Sequence, residues 1–173
     1  MLKQFMEPGD EAQFNYLPGA HNQNKTFVSR MQCVLSAIES QIKEIKKADP
    51  MKKVGFILFN NEVLVLGDGK AENVSLVGDR LNNTADILNA LKSFHLTSPI
   101  AESFEILFNR LNKTEAKGQT ALGPALTAAI EVASKGSKGS TVVLCTDGLA
   151  NIGVGSLESA DESKQLFYEN IGL

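Results

Sequence analysis

The sequence predicts an open α/β fold, a sheet with helices on its faces, and three observations predict it. Apolar residues recur at helical spacing from Met31 to Ile45, two short apolar runs flank the turn pair Asn60-Asn61, and a late β-type run, Thr141 to Cys145, sits between helical segments. With 173 residues, 43% of them hydrophobic, the chain fits one domain with a packed core.

Each element follows in order. Residues 1 to 28 hold Pro8, Gly9, Pro18, Gly19 and a polar His-Asn-Gln-Asn-Lys run without sustained period, which predicts an irregular arm. Met31, Val34, Leu35, Ile38, Ile42 and Ile45 form the stripe of an amphipathic helix that stops before Asp49-Pro50, with Lys43, Lys46 and Lys47 on its wet face. Val54 to Phe59 and Val63 to Leu66 read as a hairpin, and Val74 to Val77 as a short edge strand after the turn Gly67-Asp68-Gly69. Ile87, Leu88, Leu91 and Phe94 predict a second helix. Ser98-Pro99 predicts an N-cap and first helical residue for a third, through Phe104, Leu107, Phe108 and Leu111. A fourth runs from about Leu122 to Ser134, with Leu126, Ile130, Val132 and Ala133 inward and Gly136 ending it. Thr141 to Cys145 is expected as a buried strand, and Asp161 to Ile171 as the last helix.

Composition removes several function classes. A net charge of −3 and a pI near 5.4 leave no electrostatic footprint for nucleic acid. No run approaches the about 18 apolar residues of a membrane span, and the start lacks a secretory stretch, which predicts a cytoplasmic protein. Cys33 and Cys145 fall in a predicted helix and strand interior, as small hydrophobes. Four N-x-S/T sequons, at Asn24, Asn73, Asn82 and Asn112, read as chance in an Asn-rich chain. His21 and His95 have no ligand partner at zinc spacing. The segment Lys135 to Ser140 lacks the pattern G-x-x-x-x-G-K-[ST] and follows a helix where a phosphate loop must precede one.

Two loops can carry chemistry. Asp147 stands at the carboxyl end of the expected strand beside Gly148, where ligands of open α/β sheets bind, and its carboxylate suits a hard cation or a phosphate-bound Mg2+. It can equally cap the next turn. Thr120, just before a helix, offers a neutral hydroxyl to a metal or caps that helix.

Together, Gly118-Gln119-Thr120-Ala121-Leu122-Gly123-Pro124-Ala125 and Thr141 to Gly148 resemble the second and third parts of the metal-ion-dependent adhesion site of von Willebrand factor A domains. The resemblance covers residues 29 to 173, read as a partial domain of that type. It implies a doubly wound, mostly parallel open sheet with helices on both faces. It also implies Mg2+ or Mn2+ held by Thr120 and Asp147, directly or through water, with a partner protein's acidic residue completing the shell. The family's Asp-x-Ser-x-Ser motif is absent, as are its first, central strand and its last strands. Both ends therefore read as cut, with Gln13 to Leu17 too short to substitute for a central strand, and metal binding in this chain is expected to be weak.

The function implied is a protein-interaction module without catalytic residues, not an enzyme. A metal-independent scaffold domain is the alternative from another class. A Mg2+-dependent phosphoryl-transfer enzyme built around Asp147 is the third reading, against which stands the lack of a phosphate loop or second carboxylate placed to help.

Overall fold

The computed structural model describes residues 29–114, 118–146, 148–158, 161–170 and 172; the 1–28 arm lies outside the described residues. The contacts separate residues up to Glu44 from the unit Ile45–Leu173, which contains the sheet and the core.

Helix α1 spans Arg30–Ala48. Its start is a capping box: Ser29 Oγ accepts from Gln32 N–H at 3.1 Å, and Gln32 Oε1 accepts from Ser29 N–H at 2.8 Å, so two otherwise unpaired donors are satisfied reciprocally. It ends before Pro50, where Asp49 turns the chain by accepting from Met51 N–H at 3.1 Å.

The sheet has three strands in the order β1-β2-β3, namely β1 Phe56–Phe59, β2 Val63–Gly67 and β3 Val74–Leu76, and both pairings are antiparallel. β2 lies in the middle with Val63 and Val65 fully buried, as its continuous apolar run predicts. The hairpin and the short edge strand thus stand where the sequence puts them, with a register shift between Phe56 and Ile57.

A 3-10 turn, Gly78–Asn82, leads into α2, Thr84–Leu91, whose first N–H groups are capped by the Asn83 side chain. Helix α3 is Ile100–Leu111. Its N-cap is Pro99 rather than Ser98, and the N–H groups of Ile100 and Ala101 are satisfied by the carbonyls of Lys52 and Pro50 at 2.7 and 3.1 Å. Long-range backbone partners here do what the expected serine cap would have done. Helix α4 is Leu122–Ser134, as expected, and α5 is Asp161–Asn170.

One hydrophobic cluster joins Val63 and Val65 of β2, Leu76 of β3, Leu81, Ile87 and Leu91, and Ala121, Ala125 and Ala128 of α4 and the residue before it. The small alanine face lets α4 lie against α2 and the sheet. Ile130, expected inward, is 38% exposed, because the buried face of α4 is its first two turns, Gly123 to Ala128.

The expected doubly wound, mostly parallel sheet is not what forms. Among the described residues there are three consecutive antiparallel strands and five α-helices, without a parallel pair. The run Thr141 to Cys145 is not a strand: apolar β-prone residues become one only when a neighbour completes the ladder. No described backbone group pairs with it, and Val142, Val143 and Leu144 are 38%, 81% and 43% exposed. Cys145 is accordingly exposed rather than interior, whereas Cys33 is half-buried; both are free thiols. No described helix is long and apolar enough to cross a membrane.

Candidate functional site

The loop Gly118 to Ala121 is held from two sides. From the hairpin turn, Asn61 Oδ1 accepts from Gln119 N–H at 2.5 Å and the Asn60 carbonyl accepts from Ala121 N–H at 2.9 Å. From the other side, Asn151 Oδ1 accepts from Thr120 N–H at 2.7 Å, and Asn151 N–H donates to the Thr120 carbonyl at 3.2 Å. Thr120 is thereby pinned through its backbone, half-buried, with its hydroxyl free of any hydrogen-bond partner among the described residues.

Thr120 does not cap the helix that follows it. The N-cap is Ala121, without a side-chain hydrogen bond. The hydroxyl instead faces Gly148: a Cβ built there would meet Thr120 Oγ1 at 2.6 Å, so a larger residue would force the hydroxyl to shift. Thr146 Oγ1 accepts from Gly148 N–H at 3.3 Å and donates to the Gly148 carbonyl at 3.1 Å. Asp147 itself lies outside the described residues. The structure therefore brings the Thr120 loop to Gly148, the residue after the expected carboxylate.

The described donors fit a hard cation poorly. No group of three or more His, Cys, Asp or Glu able to hold a metal occurs among the described residues, and Mg2+ requires near-octahedral oxygen coordination, of which Thr120 supplies one atom.

Sequence reasoning missed the most strongly perturbed carboxylate among the described residues. Asp68 is fully buried, and its Oδ2 accepts from the N–H groups of Thr97 (2.5 Å) and Ser98 (2.7 Å) and from the Thr97 hydroxyl (2.9 Å). Its Oδ1 accepts from Lys70 and Ala71 N–H at 3.0 and 3.2 Å. Burial alone would raise its pKa, but these donors outweigh that and hold it at about 2. The turn Gly67-Asp68-Gly69 is its one local signal. The Thr97 and Ser98 partners are set by the fold.

No family model matches the chain, and no solved structure matches it. Over 151 residues, 84% of this chain, it is 30% identical to Circularly permutated Ras protein 1 of Dictyostelium discoideum. The match covers 18% of that protein, so the chain spans less than a fifth of the curated relative. With the antiparallel sheet, this similarity contradicts the expected function as a von Willebrand A interaction module and its metal-dependent adhesion role. What the chain is similar to is a stretch of a Ras protein.

Proposed function

We propose that the chain is a working part of a Ras-type, GTP-hydrolysing polypeptide. The observation that carries this reading is the 30% identity over 151 residues to a Ras protein. Ras-type chemistry is phosphoryl transfer to water, in which a phosphate loop would hold the nucleotide and Mg2+ would supply neutralisation of the phosphate charge.

These 173 residues contain no G-x-x-x-x-G-K-[ST] sequence, and Lys135 to Ser140 follows α4 rather than preceding a helix. On this reading the phosphates are held by other residues of the polypeptide. The contribution argued for this chain is the loop bearing Thr120, whose backbone is held by Asn61 and Asn151 and whose hydroxyl, free of a hydrogen-bond partner among the described residues, stands beside Gly148. One neutral oxygen does not make a Mg2+ site, and no hydrolytic step is assigned to it.

The test is binding of a fluorescent GTP analogue, with and without Mg2+, and GTP turnover, in the longest natural polypeptide that contains this chain. Mg2+-dependent binding and hydrolysis, altered by Asn151→Ala, are expected. A polypeptide that neither binds nor turns over GTP overturns the proposal.

A further inference from the structure

We propose that the free edge of β3, with the cleft beside it, is a strand-addition site for an extended peptide of a partner protein that carries a basic residue. This rests on the sheet and not on the Ras-type reading.

Among the described residues β3 pairs only with β2, through Val63 with Leu76, Leu64 with Ser75 and Val65 with Val74. Its other side forms no backbone hydrogen bond with any described loop. A strand edge of this kind offers a row of N–H and C=O groups that only another extended segment complements along its length. Natural edges are blunted by shortness, lysine, proline or a bulge; Val74-Ser75-Leu76 carries no lysine, proline or bulge, and its three residues confine an added strand to a short pairing.

The edge borders a cleft of about 670 Å3, lined on the β3 side by Glu72, Val74 and Ser75 and on the other by Ala90, Phe94 and His95. That volume falls within the range of about 300–1,000 Å3 found for ligand sites. Its floor is apolar, with Phe94 buried and Val74 and Ala90 half-buried, and its rim is polar. This is the division that alternating side chains of an added strand require, one set inward and the next toward water.

Charge selects the occupant. Glu72 is the single formally charged residue lining the cleft, and it has no ion-pair partner among the described residues. Neither neighbouring cation pairs with Glu72: Lys70 pairs with Glu102 at 2.7 Å, and Arg110, at the rim, donates to Oδ1 of the cleft residue Asn73 at 2.6 Å. His95 donates through Nδ1 to the Ser93 carbonyl at 2.7 Å, which leaves Nε2 as its second polar atom for the incoming strand. A lysine or arginine side chain opposite Glu72 completes the set.

Two labelled pentapeptides of alternating Thr and Val, one centred on Lys and the other on Glu, are titrated into the full chain and followed by fluorescence anisotropy. The Lys peptide is expected to bind about fivefold more tightly at low salt, with the preference narrowing as salt rises. Because Glu72 is exposed, Glu72→Lys keeps the fold and is expected to invert the preference. Hydrogen exchange of the Val74 to Leu76 amides is expected to slow on binding. Equal affinity for the two peptides, no binding of either, a preference unchanged in Glu72→Lys, protection confined to other strands, or a dimer that buries β3 each overturns the proposal.

Discussion

The Asp68 carboxylate accepts the backbone N–H of Ser98 at 2.7 Å across thirty residues of sequence, and so ties the turn after β2 to the entry of α3. Asp68→Ala leaves the five donors of this network without their acceptor inside a buried site, and is expected to cost about 3 kcal/mol. Urea denaturation of the two proteins measures it. A loss below about 1 kcal/mol would show that water replaces the carboxylate.

The same group makes stability depend on acid. Its folded pKa of about 2 lies below the ordinary value of 3.8, so its stabilisation is complete above 3.8 and is lost as the pH falls through about 2. The corresponding loss is about 2 kcal/mol. Denaturation midpoints taken from pH 5 down to pH 2 should fall more steeply in the natural chain than in Asp68→Asn, which does not ionise.

Lys135 crosses from the end of α4 to the end of α2. Its ammonium donates to the carbonyls of Leu91, Lys92 (3.2 Å) and Phe94 (3.4 Å) and pairs with Glu131 at 2.8 Å. It thus answers unpaired carbonyls and the negative end of the α2 dipole. Lys135→Met keeps the stem but removes the charge, and is expected to lower stability by about 1–2 kcal/mol, read by thermal unfolding.

Gly123, in the first turn of α4, packs against the Val154 carbonyl so closely that a Cβ would stand 1.8 Å from the oxygen. Helix propensity favours alanine by about 1 kcal/mol, but the clash is with backbone and outweighs it. Gly123→Ala is expected to destabilise by about 2 kcal/mol, whereas Ala133→Gly, with no such contact to relieve, costs only the propensity.

Val143 separates the expected fold from the observed one. In a buried central strand Val143→Lys would cost several kcal/mol; at 81% exposure it is expected to change stability by less than about 0.5 kcal/mol. Chemical denaturation decides between them.

How far the sequence could be read follows from where each signal is stored. Asn60-Asn61 and the flanking apolar runs encode the hairpin locally, and the period of three and four residues encodes α4 to its ends at Leu122 and Ser134. The one-residue shift from Ser98 to Pro99 at the α3 cap arises because Pro50 and Lys52 supply the acceptors. Thr141 to Cys145 has the composition of a strand, but a strand is a relation between two segments, and composition describes only one. Thr120 was legible as a hydroxyl before a helix. Its anchors, Asn61 and Asn151, are distant in sequence and become neighbours only through the fold.

The meander β1-β2-β3 also bears on how the molecule reaches its native state. β1 and β2 are separated only by residues 60–62, and β2 and β3 only by 68–73, so both pairings close short loops at small entropic cost. The contact between Asn61 and Gln119 must instead close a separation of 58 residues. The sheet can therefore assemble early and serve as the surface on which the later helices condense, which leaves docking of the Thr120 loop as a late event in folding.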